Sequence, residues 1–301
     1  MLPIRTLVYA AIAIAMMCAP EIARAQETPS ASPSPASTSQ PTFIDRQYDG
    51  QTHVMVAPYI WGPTISADYQ FSVPRVDRPG AGGKVFGRTV LVGPSDYLSN
   101  LNTAAMLAFD VRKGNIDVFG DGIYINASTT ATIATEIHGV RGNLTLPVTF
   151  NASAHVATSI WEIAAGYAIA HGHNADLTGF VGIRDFPIAL NADYNATISK
   201  RNIVTPTGTI SNTQSTNDVI AGFKGRAFFT DRFYATYYGD VGYGTNGNQT
   251  WEAYGGGGYA FEHGQTIIAL WRALNYHSFP STANVQKFDL SGPLLGYTFN
   301  L

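Results

Sequence analysis

From His53 onward the chain shows no 3.6-residue periodicity. Apolar residues instead alternate with polar or small ones over repeated segments of about 10 to 15 residues, a two-residue period that sends successive side chains to opposite faces of a strand. In Arg232 to Gly244, Phe233, Ala235, Tyr237, Gly239, Val241 and Tyr243 share one face, and Tyr234, Thr236, Tyr238, Asp240 and Gly242 the other. The same rule turns Val219, Ala221, Phe223, Ala227 and Phe229 outward and Gly222, Lys224 and Arg226 inward. It turns Trp161, Ile163, Ala165, Tyr167 and Ile169 outward and Glu162, Ala164 and Gly166 inward, and it sets Trp251, Ala253, Tyr259 and Phe261 against Glu252 and Tyr254. Many such segments, one face fit for lipid and ringed by aromatic residues near its ends, predict an all-β, closed antiparallel transmembrane β-barrel.

Connection lengths set the topology. Short links at 112–115, 170–175, 230–231 and 262–264 alternate with long ones at 70–101, 128–154, 199–215 and 280–286, and only 244–248 departs from the rule. Short turns belong on the periplasmic side and long loops outside. The count is about ten strands, with 8 to 12 as bounds, over 53–69, 102–113, 115–127, 155–170, 175–197, 216–229, 231–244, 249–262, 264–279 and 287–301. An even number puts both chain ends on the periplasmic side. Lys84 to Val92 is a further candidate hairpin, and Thr129 to Phe150 reads as strands projecting beyond the membrane around a turn near His138-Gly139. The segment 70–101 is too long for a tight turn and is expected to fold into the barrel or to cover its outer mouth.

The N-terminus gives an address. Arg5, the apolar run Leu7 to Ala19 and Ala23-Arg24-Ala25 compose a signal peptide over 1–25, which implies export and insertion into the cell outer membrane of a Gram-negative bacterium. Residues 26–50, rich in Pro and Ser at the start, are expected to be a flexible periplasmic tail, and 51–301 the barrel. The single cysteine, Cys18, lies in the signal segment, so thiolate chemistry is not expected of the mature chain.

Composition narrows the rest. Of 301 residues 45% are hydrophobic but only 13% charged, about half the share in an ordinary soluble domain. With 16 Phe, 16 Tyr and 4 Trp the chain has far more apolar surface than a disordered one, and its net charge of -3 argues against nucleic acid as a partner. The mean hydropathy of +0.01 is low for a bundle of membrane helices.

Seven segments then carry a resemblance: Tyr59-Ile60-Trp61-Gly62-Pro63, Asp96-Tyr97-Leu98-Ser99-Asn100-Leu101, Phe109-Asp110-Val111-Arg112-Lys113-Gly114, Asp121-Gly122-Ile123-Tyr124, Glu162-Ile163-Ala164-Ala165-Gly166-Tyr167, Tyr238-Gly239-Asp240-Val241-Gly242 and Leu290-Ser291-Gly292-Pro293-Leu294-Leu295-Gly296. Together they resemble a family of proteobacterial outer-membrane β-barrel proteins of largely unassigned function. The resemblance implies location and fold, and no reaction. The chain departs from that pattern at Ala168, where a basic residue is expected, and at Asp185, where an aromatic one is. Asp185 faces lipid if Arg184 faces inward, so a bulge near Pro187 is expected. The ending Tyr297-Thr298-Phe299-Asn300-Leu301 resembles the terminal strand read by the barrel-insertion machinery, a second partner beside outer-membrane lipid.

The interior rows collect Asp110, Asp121, Glu162, Asp240 and Glu252 against Arg112, Arg184, Lys224, Arg226 and Arg272. A barrel of this size is narrow and its buried charges must be paired, so the set is expected to form a lumen salt-bridge network in a structural or surface-interaction protein. A channel or binding barrel for a small solute is the alternative. A rim hydrolase, the second alternative, would use His277, Asp193 and Asp68, but no nucleophile motif accompanies them. His171 and His173 lack acids at metal-ligand spacing and read as a solvated turn. Gly255 to Gly258 precede no Lys-Ser/Thr pair and no helix, so they suit strand curvature or close aromatic packing rather than a phosphate cradle. No cofactor or metal is expected.

Overall fold

The computed structural model describes residues 42–73, 84–99, 101–138, 145–198, 207–214, 217–244, 247–262, 264–277 and 285–301. The signal segment and residues 26–41 of the expected tail lie outside this set. The elements in order are α1 (Phe43–Gln47), β1 (Thr52–Trp61), β2 (Thr64–Val73), β3 (Lys84–Val92), α2 (Pro94–Leu98), β4 (Leu101–Lys113), β5 (Ile116–His138), β6 (Thr145–His171), β7 (Ala175–Asp185), β8 (Ile188–Ile198), β9 (Thr207–Gln214), β10 (Asn217–Phe228), β11 (Phe233–Gly244), β12 (Gln249–Ala260), β13 (Thr266–His277) and β14 (Val285–Asn300).

Strands β1, β4, β5, β6, β7, β10, β11, β12, β13 and β14 pair antiparallel in that order, and β14 returns to β1, with Val56 opposite Phe299 and Trp61 opposite Leu294. The result is a closed ten-stranded barrel. Closure leaves every strand of the ring with two neighbours and so removes the sheet edges. Two of the ten expected strands are each drawn as two elements, and both breaks fall at proline, which has no N–H to give the ladder. Past Gly62-Pro63, β2 continues along β14, and past Phe186-Pro187, β8 continues along β6.

At this same end the wall rises above the ring. β5 and β6 stay paired from Ile116 opposite Tyr167 to His138 opposite Thr145, which is the projecting hairpin expected around His138-Gly139. β3 pairs β2 outside the ring, so the Lys84–Val92 segment adds wall height rather than an eleventh and twelfth ring strand. The described parts of 70–101 therefore build wall, followed by α2, whose Tyr97 hydroxyl donates to the Pro63 carbonyl at 2.9 Å. β9 lies where a loop was expected and pairs β8.

The faces sort as the alternation predicts. Val181 is 63% exposed, Val219 66%, Val241 67% and Trp271 57%, all on the outside, with Ile163, Tyr167, Tyr243, Leu295 and Phe299 among their exposed neighbours. This apolar belt suits hydrocarbon rather than water. Arg184 points inward and Asp185 outward, where the Trp161 indole donates to its carboxylate at 3.1 Å. The expected disturbance at Pro187 takes the form of the β7–β8 break.

Candidate functional site: the charged lumen

The inward rows fill the barrel in layers. Nearest the raised end is an apolar layer in which Trp61, Ile123, Ile160, Phe186, Leu274, Tyr276 and Leu290 pack together. They come from facing sides of the ring and pack across it.

Below it lies a charged layer around two arginines. Arg184, 1% exposed, donates through Nε and Nη2 to Glu162 Oε2 at 3.2 and 2.8 Å and through Nη1 to Asp240 Oδ1 at 3.1 Å. Its Nη2 also lies 2.9 Å from Glu252 Oε2. Arg272 Nε lies 2.7 Å from the other oxygen of Glu252, and its Nη1 donates to the Tyr59 hydroxyl at 2.9 Å and to Asp121 at 3.3 Å. Tyr59 in turn donates to Asp121 at 2.8 Å. Glu252 thus joins the two guanidinium groups into one network that crosses the lumen. Glu162, Asp240 and Glu252 offer oxygens within 4.8 Å of one another, a spacing fit for a metal ion, but the guanidinium of Arg184 already engages all three.

A second charged layer follows toward the end that carries the short turns. Lys224 contacts Asp110 at 2.5 Å and Asp117 at 3.0 Å and lies 3.5 Å from the centroid of the Phe119 ring. Arg112 donates to Asp117 at 2.7 Å and to the Tyr48 hydroxyl at 2.6 Å. Arg226 reaches Asp176 at 3.7 Å, and its backbone N–H donates to the same carboxylate at 2.6 Å. A cavity of about 180 Å³ is lined by parts of both charged layers, including Asp110, Asp121, Lys224 and Arg272, and by the apolar Ile268, Leu270 and Leu294.

Helix α1 closes the turn end. Thr42 caps it: its hydroxyl accepts from the Asp45 N–H while the Asp45 carboxylate accepts from the Thr42 N–H, a reciprocal box that fixes one helical turn. Phe43 and Ile44 are buried, Phe43 against Tyr234, Ala260 and Phe228. Gln47 accepts from Arg226, and Tyr48 stacks on His171 with ring centroids 4.2 Å apart. His173 Nδ1 lies 3.1 Å from Asp45. The hydrogen bonds from Thr42, aided by His173, hold the Asp45 carboxyl below the usual range. Burial, reinforced by the Asp176 carboxylate, pushes the Tyr48 hydroxyl up to about 12, so at neutral pH it stays a donor to Asp176 and an acceptor from Arg112. Residues 42–50, grouped with the tail by sequence, are therefore packed structure, and the histidine turn that read as solvated is the surface on which α1 docks.

All ten charged residues expected inside are inside, and the structure gathers them into the two layers. The even balance of five against five does not hold. Asp117, Asp176 and Asp218 are also buried and inward, which makes eight carboxylates against five cations among the described residues. Asp117 could have been found from the two-residue turn, Gly114-Asn115, that sets it opposite Arg112. The expected basic residue at 168 is absent; Ala168 is buried, and the β6–β7 register shifts just after it. Gly256 and Gly258 allow close packing, since a Cβ would lie 2.3 Å from the Ala269 carbonyl at the first and 2.2 Å from the Tyr234 ring at the second.

The rim candidates are only partly brought together. His277 and Asp68 are both register partners of Lys287, one on each side of it, and Asp68 accepts from Thr89 at 2.6 Å. Asp193 lies on β8, opposite Ser153 and Thr209, in a different part of the wall.

No family model matches the chain, and no curated protein matches it. Solved structures match over most of the chain at low identity, each with a TM-score below 0.5. They include the outer membrane protease OmpT from Escherichia coli (10% identity, TM-score 0.47, covering 82% of this chain and 97% of that one). Two others are the translocator domain of the autotransporter NalP from Neisseria meningitidis (16%, 0.36, 85% and 91%) and the Pseudomonas putida toluene transporter TodX (8%, 0.33, 86% and 92%).

Proposed function

We propose that the chain is an outer-membrane β-barrel with a closed lumen that holds its raised β-wall outside the cell as a structural or interaction surface. The observation that carries this reading is the stack of apolar layer, two ion-paired layers and docked helix α1, which occupies the lumen apart from the cavity beside the charged layers. A conducting pore needs a continuous wet path. On this reading residues 1–25 direct export, the end with the short turns and both termini faces the periplasm, and the alternating C-terminal strand guides insertion. The apolar belt meets outer-membrane lipid. No hydrolytic reaction is assigned, because Lys287 separates His277 from Asp68 and Asp193 stands apart. Planar-bilayer recording tests the reading: the purified full chain is expected to give no steady conductance, and reproducible ohmic steps would overturn it.

The cavity favours a second reading, a barrel that binds a small solute. Its mixed charged and apolar lining and its volume match a ligand about the size of benzene. Deleting residues 42–48 removes the helix whose Gln47, with the adjoining Tyr48, contacts Arg226 and Arg112 of this lining. Uptake of small amines or acids by vesicles carrying the deletion, with none in the parent, would favour this reading over the closed scaffold.

A further inference from the structure

Asp218 is the buried lumen carboxylate that the arginine networks leave out. It is the second residue of β10 and is register partner to Arg184 on one side and Gly244 on the other. Arg184 turns away from it toward Glu162, Asp240 and Glu252. Asp218 is 2% exposed, and among the described residues neither of its oxygens meets a donor in full hydrogen-bonding geometry. The Thr250 side chain, 4% exposed, is a donor beside it whose hydroxyl finds no partner in full hydrogen-bonding geometry among the described residues. Two residues earlier on the same inward row, Asn248 is 2% exposed, and its side-chain oxygen is also without a partner.

The backbone between these groups is cleared for them. β11 separates β10 from β12, and its inward positions here are Gly242 and Gly244. A Cβ at Gly244 would lie 2.3 Å from Asp218 Oδ1, and one at Gly242 would lie 2.2 Å from Thr250 Oγ1. Any side chain at either position would occupy the space the oxygens use. Asp218 thus reaches over a glycine floor toward Thr250 and Asn248, just below the turn joining β11 and β12.

Four oxygens from a carboxylate, an amide and a hydroxyl, none in full hydrogen-bonding geometry with another described residue, form a donor set without nitrogen or sulfur. Hard cations take such sets, whereas zinc and copper favour imidazole and thiolate. Leaving a buried carboxylate without a partner costs several kcal/mol, and a bound cation removes that cost while offsetting part of the carboxylate excess in the lumen. We infer that Asp218, Asn248 and Thr250 form a binding site for a hard divalent cation of the calcium class at the raised end of the barrel. With one carboxylate among its ligands, the site falls in the weak range of extracellular calcium modules, a Kd on the order of 10⁻⁴ to 10⁻³ M.

The test uses the full chain folded in detergent, stripped with chelator and titrated with calcium, magnesium or sodium, with binding read by calorimetry and unfolding by tryptophan fluorescence. Calcium is expected to bind once per chain in that range and to raise the unfolding midpoint, with magnesium weaker and sodium weaker still. Asp218→Asn, which keeps the shape and removes the charge, is expected to abolish both effects. Asn248→Asp, which adds a second carboxylate, is expected to tighten calcium binding about tenfold and serves if Asp218→Asn does not fold. The inference is overturned if no cation binds at 20-fold above the upper Kd of about 10⁻³ M, which would mean that water alone meets these oxygens. It is equally overturned if Asn248→Asp binds no more tightly than the parent.

Discussion

Replacing Arg184 with methionine removes one positive charge from the centre of the barrel while keeping an apolar stem of similar length. The side chain is 1% exposed, and those of its partners Glu162, Asp240 and Glu252 are 6%, 0% and 0% exposed, so little water reaches the charges left behind. Breaking a single buried ion pair costs about 3–5 kcal/mol. Here three carboxylates would remain within 4.8 Å of one another. At an effective dielectric constant of about 20 each such pair repels by about 3 kcal/mol, and Arg272 offsets part of this on Glu252 alone. Arg184→Met is therefore expected to lose at least the 3–5 kcal/mol of one broken pair. The triple variant Arg184→Met/Glu162→Gln/Asp240→Asn removes two acids with the base, leaves Glu252 to Arg272, and is expected to recover most of the loss. Urea titrations of the folded chain in detergent, accepted only where folding and unfolding curves overlay, measure both. A single variant within 1 kcal/mol of the parent, or a triple variant no better than the single, would show that the layer is wet and that its charges are screened independently, contrary to the closed-lumen reading.

Three further outcomes follow from the same geometry. Val181→Arg places a charge in the outer belt and is expected to cost about 2–4 kcal/mol near the midplane, read from the same titrations; no change would mean that this face does not meet hydrocarbon. Gly256→Ala sets a methyl 2.3 Å from the Ala269 carbonyl, a backbone contact that cannot swing aside, and is expected to destabilise by about 1–3 kcal/mol, whereas Gly172→Ala, with open space around it, should leave the unfolding midpoint in place. The docking of α1 is expected to weaken in acid. Asp45 has a lowered folded-state value, so its contribution is full above the ordinary carboxylate value and is lost as pH falls through the lowered one. Hydrogen exchange at residues 43–48 should rise over that interval in the parent, and an Asp45→Asn variant that is already fast at neutral pH should show no further rise.

The parts of the structure legible in sequence are those in which one face of a strand had to be apolar. Trp161, Ile163, Ala165, Tyr167 and Ile169 could be oriented from the chain alone because a one-residue slip would have put Glu162 in lipid. Asp185 looked like an error in that pattern; the Trp161 indole answers it from the neighbouring strand, a partner that no local reading supplies. β9 was missed because the Thr207–Gln214 sequence carries no alternating apolar row; its backbone pairs β8 in the wall above the ring. Helix α1 was missed because Pro and Ser dominate the segment before it, although Thr42 and Asp45 hold the spacing of a capping box. The interior charges were legible as inward positions but not as a balance. Asp117 and Asp176 lie beside turns, where an acid reads as solvated.

The two ends of this barrel are shut by different means. At the raised end the stopper is made of side chains rooted in the wall itself, from β1, β5, β6, β13 and β14, and it cannot leave without unravelling the ring. At the other end the stopper is one turn of helix joined to the ring, among the described residues, through 48–51 and held by Phe43, a few hydrogen bonds and a stacked tyrosine. The two closures therefore differ in what their removal would cost: the helix can come away with the ring left whole, whereas the apolar layer cannot.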